Sequence, residues 1–158
     1  MNRTELRQLF AFDRWATRRC LAALRSLDEA SVELRDLLWH TLTATDNWLS
    51  RIDGSEPFEP LQWGDPHTLD DLDRYAARIE AKTAAFADAI EDTRFAEPFD
   101  YRNSSGVPFT NVVADVLQHV ALHGVEHRAQ LMWEIGKLGG EPTEFEYAWF
   151  LRDPPADA

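Results

Sequence analysis

HVALHGVEHRAQ, residues 119–130, is the stretch on which the reading of this chain turns. It lies within residues 110–138, which read as one helix, capped by Thr110 and stopped by Gly139 and Gly140. At about 100° per residue, Val112, Val116, His119, His123, His127, Gln130 and Glu134 share a band roughly 80° wide. That band is expected to face inward. A polar stripe there needs partners, because unpaired buried polar groups are costly. A metal ion is one such partner. His123 and His127 stand one turn apart, so their rings can converge on a single ion. By spacing alone such a pair reads equally as ordinary core or surface histidines. His119 is one turn earlier and is expected to pack or support, since three consecutive turns seldom bring three rings to one ion. Gly124 stands where the zinc-protease pattern His-Glu-x-x-His carries its Glu, so hydrolysis with a base on this helix is not supported.

Upstream, the chain reads as three more helices. The first spans residues 4–26, capped by Thr4, with Leu6, Leu9, Phe10, Asp13, Ala16, Cys20, Leu24 and Leu27 at helical spacing. The second begins between Ser31 and Asp36 and ends at Asp53 and Gly54. Leu37, Leu38, Thr41, Ala44, Trp48 and Ile52 suit its buried face, and His40 sits among them as what would ordinarily be a core histidine. Residues 54–67 hold Pro57, Pro60 and Pro66 and form a long crossing loop, of the kind from which lids are made, with His67 expected to be solvated. Thr68 and Asp71 make a capping box for a third helix that reaches residue 92, with Leu72, Ala76, Ile79, Thr83, Phe86 and Ile90 on its buried stripe. Residues 99–102 and 107–109 flank a glycine-ended turn and read as a small hairpin. After the fourth helix, Phe145, Tyr147, Trp149, Phe150 and Leu151 are expected to pack on the bundle or on a second subunit. Residues 1–152 are thus expected to form one domain, with 153–158 a frayed tail.

Composition narrows the function classes. The chain is 44% apolar by count with six Trp and nine Phe, enough for a real core. A net charge of -12 argues against nucleic acid and against an anionic membrane surface, both of which call for basic patches. No apolar run approaches the roughly 20 residues that span a bilayer, and the N-terminus has no signal-peptide apolar region. The single cysteine, Cys20, excludes an internal disulfide and fits a reducing, cytoplasmic setting, with Cys20 as small core filler.

Taken together, these blocks resemble the DinB/YfiT-like family of metal-dependent proteins. The resemblance runs from LFAFDRWA at residues 9–16, through HTLTATDNWL at 40–49 and HVALHGVEHRAQ at 119–130, to LGGEP at 138–142 and the aromatic tail. It departs from the family at Ala129, where relatives often carry Gly, and at Glu144, near where they often carry Asp. The resemblance implies an all-α four-helix bundle with a long crossover loop between helices 2 and 3, and commonly a homodimer. It also implies a divalent metal, zinc or nickel foremost, held by His40, His123 and His127.

Three neutral imidazoles leave a two-plus ion with open positions, unlike a closed structural zinc site. Relatives of this fold include transferases and isomerases that use bacillithiol, mycothiol or glutathione. The first functional expectation is therefore a metal-dependent, thiol-using S-transferase or detoxification enzyme acting on a small-molecule substrate. The second is a metal-dependent hydrolase. The third is a non-catalytic dimeric metal- or ligand-binding protein of stress response, whose site a fourth ligand such as His67 or His119 would seal. Asp13, Asp46, Glu126 and Glu134 are candidate supports for the ligating rings, as is Gln130. Arg128 is expected to pair with acids between helices.

Overall fold

The computed structural model describes residues 1–27, 29–58, 64, 67–103 and 105–154. Four long helices carry it: α1 (Arg3–Arg25), α2 (Val32–Asp53), α3 (Leu69–Ala89) and α4 (Val113–Lys137). A 3₁₀ turn at Asp92–Ala96 and a hairpin of β1 (Pro98–Arg102) and β2 (Pro108–Val112) lead into α4, and a short α5 (Tyr147–Arg152) closes the chain.

Local chemistry sets the helix ends. Asn2, not Thr4, caps α1: its side chain accepts from the Glu5 amide while Glu5 accepts from the Asn2 amide. A reciprocal box started at Thr4 would need an acid at residue 7, which is Arg7. Ser31 caps α2, and Gly54 ends it at φ 77, a left-handed conformation that glycine adopts without strain. The Thr68–Asp71 box starts α3 as read from the sequence, although the helix ends at Ala89 and the chain passes into the 3₁₀ turn. Thr110 does not cap α4. It stays in β2, pairs with Asp100 in the antiparallel register and donates to the Asp100 carboxylate at 2.6 Å. The first α4 residue follows directly, with the Val113 amide donating to the Glu97 carbonyl.

Cross-helix pairs give the topology. Arg7 meets Asp88 and Arg25 meets Asp70, so α1 and α3 are antiparallel. Trp39 stacks on Tyr75, and Asp46 meets Lys82, so α2 and α3 run in the same direction. His40 faces His127 and Trp48 faces His119, so α2 and α4 are antiparallel. Since α2 and α3 are parallel, their connection has to return along the length of the bundle, which is why this loop is long. Its residues 59–63 and 65–66, including Trp63 and half of the expected crossing loop, lie outside the described residues, as does the tail at 155–158.

Two apolar clusters fill the bundle. One gathers Leu24, Leu38, Leu72, Leu131 and Ile135, the other Leu6, Leu49, Phe86, Phe95 and Leu117. Polar side chains sit between them. Lys82 reaches the Asp46 carboxylate and the Ser50 hydroxyl, each at 2.5 Å. On the outside of α1, Phe150 packs on Phe12 and Trp15, which seats α5 against the bundle. Phe12 was not on the expected face of α1; it is buried because α5 covers it. Leu37, Ala44 and Trp48 of α2 are only half-buried, and Leu34, Leu42 and Leu49 carry that helix's core contacts instead. Among the described residues no helix is long and apolar enough to cross a membrane.

Candidate metal centre

The histidines come together at the α2–α4 seam. Antiparallel packing sets His40 opposite the turn that carries His123 and His127. The Nε2 atoms of His40 and His123 are 3.2 Å apart. One ring nitrogen from each of the three residues lies within 4.8 Å of the others. Ring centroids are 5.0 Å apart for His40–His123, 4.9 Å for His40–His127 and 4.5 Å for His123–His127. Two nitrogens bound tetrahedrally to one ion at about 2.05 Å would stand about 3.3 Å apart. The His40–His123 separation already matches that span, and a nitrogen of His127 lies within 4.8 Å of both.

The electrostatics favour neutral rings. Desolvation, followed by repulsion from His127, His40 and His119, lowers the His123 pKa to about 4, although Glu126 opposes this. His40 is lowered too, by desolvation and then by His127. Both imidazoles are therefore neutral at pH 7, with lone pairs available to a cation. His127 Nδ1 lies 3.3 Å from Gln130 Oε1. With that oxygen accepting, Nδ1 carries the proton and Nε2 presents its lone pair to the cluster. Gln130 thus orients a ring as its position suggested, but from an exposed site, not a buried one.

The other candidate supports belong elsewhere. Asp13 is the partner of Arg128, at 2.7 Å across the α1–α4 seam. Asp46 accepts from Lys82 and from the Phe58 amide. Glu134 pairs with Lys137. Of the expected carboxylates only Glu126 acts on the cluster, through its charge.

Neither of the two remaining histidines joins the trio. His119 is exposed, its ring 5.8 Å from those of His123 and Trp48. His67, expected to be solvated, is buried, with Nδ1 3.7 Å from the buried Asp36 carboxylate and its ring 5.1 Å from Trp39. The end of the crossover loop tucks in beside the start of α2, and a local reading of a proline-rich stretch has no signal for that.

The α4 histidine stripe flanks the buried face and does not lie on it. Leu117, Gly124, Arg128, Leu131 and Ile135 point into the bundle, while His123 and His127 are half-buried at its margin. The cluster accordingly sits at the margin of the α2–α4 seam. Hollows lie elsewhere. One of about 820 Å³ is lined by Ile52, Phe58, Lys82 and Phe86, and one of about 830 Å³ by Met132, Trp133 and Trp149. Cys20 is buried and its thiol is pushed up to about 12 by desolvation, so it is core filler and not a nucleophile.

No curated protein matches the chain. The model of the DinB family matches residues 1–156, and the chain belongs to that family.

Proposed function

We propose that this DinB-family bundle holds one divalent transition metal, zinc or nickel, on His40, His123 and His127, and uses it as a thiol-dependent S-transferase of the detoxification type. The observation that carries the reading is the 3.2 Å approach of two imidazole nitrogens from different helices, with a third within 4.8 Å. Three like side chains so placed repel one another when protonated and share one cation when neutral. Bound there, a divalent ion would supply Lewis acidity, lowering the pKa of a thiol so that it is nucleophilic at neutral pH. The chain's own part is to keep His40 and His123 neutral, to fix His127 through Gln130 and to leave the cluster open to a substrate. Three protein donors leave room for such a ligand.

Hydrolysis in the zinc-protease manner is disfavoured at Gly124. A Cβ at that position would stand 2.8 Å from Arg128 Nη2 and 2.9 Å from Asp13 Oδ1, so a side chain there would have to displace the Arg128–Asp13 pair. We read residues 1–152 as one domain and the active form as a cytoplasmic homodimer. The exposed Leu122 and Trp133 on α4, with Trp149 and Leu151 on α5, support the pairing of two copies.

The test is elemental analysis of tag-free protein. Wild type is expected to hold about one equivalent of metal per chain, and His40→Ala to lose it. Loaded wild type should then conjugate a low-molecular-weight thiol to an electrophile. Metal retained by His40→Ala would sink the assignment of the trio.

A further inference from the structure

Toward the hairpin, the histidine cluster is continued by a wall of aromatic rings. His119 stands one turn of α4 from His123, and its ring meets Trp48 edge-on at 5.8 Å. Trp48 meets Tyr101 of β1 edge-on at 4.9 Å. Tyr101 stacks on Phe109, its partner across the hairpin, at 5.8 Å, and Phe109 is 45% exposed. The guanidinium of Arg51, in the last turn of α2, lies 5.0 Å from the centre of the Trp48 ring. Eight residues of helix separate Trp48 from His40 and four separate His119 from His123, so the wall begins about 6 Å from the cluster and extends to about 12 Å.

Several features set this wall apart from ordinary packing. His119 and Arg51 are exposed and Trp48 and Tyr101 half-buried, so ring surface stays open to solvent beside the cluster. The hairpin's acid is turned away, since Asp100 alternates with Tyr101 along β1 and is tied to Thr110. The Tyr101 hydroxyl is held by Asn111 at 2.9 Å, which fixes the ring. Arg51 has no carboxylate partner among the described residues, as also holds for Arg19 and Arg78, which likewise lie over aromatic rings, and it is the arginine of this kind on the ring that adjoins the histidines. A cation above an aromatic face, on a wall that adjoins the histidine cluster, matches a planar ligand that ends in an anion.

We propose that Trp48, His119, Tyr101 and Arg51 form a substrate subsite that selects aromatic or conjugated carboxylates, with the ring against the wall and the carboxylate on Arg51. This rests on the metal reading of the histidine cluster, because the reacting end of the ligand would lie there. Arg51 is a specificity residue and takes no part in bond making.

The test uses two probes, 3-(4-mercaptophenyl)propanoate and its neutral amide, titrated into cobalt-loaded protein, with thiol binding read from the visible spectrum. The acid is expected to bind wild type at least about tenfold more tightly than the amide, the size of one charge-assisted hydrogen bond. In Arg51→Gln the ratio should fall to within about twofold, while Arg152→Gln, which changes net charge equally on α5, should leave it unchanged. Equal binding of the two probes by wild type would overturn the subsite, as would a preference that persists in Arg51→Gln or disappears in Arg152→Gln. Failure of the metal reading has a separate signature, which is protein that shows no cobalt bands at all. In that event 3-phenylpropanoate and its amide, titrated by calorimetry into metal-free protein, read the subsite alone and are held to the same ratios.

Discussion

Residues 123–128 of α4 face two seams and meet two different kinds of polar chemistry. Gly124 and Arg128 turn toward α1, where Arg128 pairs with Asp13 at 2.7 Å and reaches the Thr17 hydroxyl at 3.3 Å. The Arg128 side chain is 1% exposed and that of Asp13 16%. His123 and His127 turn toward α2 and meet a third imidazole. The first seam joins unlike charges, although the buried Nε and Nη2 of Arg128 have no hydrogen-bond partner among the described residues. The second joins like groups, where desolvation first and the neighbouring imidazoles second bring His123 down to about 4. The Arg128–Asp13 pair ties α1 to α4, and the three imidazoles gather at the α2–α4 seam, where they could hold a metal ion.

The largest expected effect comes from breaking the first seam. Asp13→Ala would leave the Arg128 guanidinium buried without its counter-charge, which costs about 3–5 kcal/mol. Urea unfolding of the metal-free protein measures it. Adding Arg128→Leu should recover part of the loss, because two apolar residues replace a buried pair at little cost. If the double variant is less stable than Asp13→Ala, the pair is not the self-contained unit the comparison requires.

A pair of glycines in α4 sharpens the contrast. At Gly124 an added Cβ meets Arg128 and Asp13 within 3 Å, whereas at Gly136 the nearest atom is a Pro142 carbon at 3.6 Å. Gly124→Ala is expected to lose about 1–2 kcal/mol, overpacking outweighing the gain in helix propensity. Gly136→Ala is expected to gain about 0.5–1 kcal/mol from propensity alone. Thermal unfolding of the two variants should therefore move in opposite directions, and a shared sign would mean that the α1 seam is looser than its distances show.

The sequence carried much of this division. Ser31, Gly54 and the Thr68–Asp71 box mark helix ends by local hydrogen bonding, which short windows contain. The spacing of His123 and His127 is a property of any helix. The length of residues 54–67 already implied a crossover, and the parallel α2 and α3 require one. Whatever depends on a distant partner was harder to read. His40 and His123 are 83 residues apart, and spacing alone could not join them; the family resemblance did. The buried face of α4 was misplaced because its centre holds Gly124 and Arg128, which no apolar pattern flags, while the histidine stripe borders it. His67 is buried beside Asp36 and Trp39, and Phe12 by a helix that begins at Tyr147. Neither signal lies within reach of a local pattern.

The smallest effect on the fold is expected at the second seam, and it decides the comparison most directly. In metal-free protein His123→Ala removes a half-buried ring from a cluster of like groups. The loss of packing and of the contact with His40 is small for a half-buried ring, so the change should stay within about 1 kcal/mol. With zinc at a hundred times its dissociation constant, wild type should gain about 2.7 kcal/mol, whereas His123→Ala should gain almost nothing. The two measurements, on the same pair of proteins with and without metal, separate a structural histidine from a ligand. A cost of several kcal/mol in metal-free His123→Ala would place the ring among the residues that hold the bundle, and α4 would then have two structural faces.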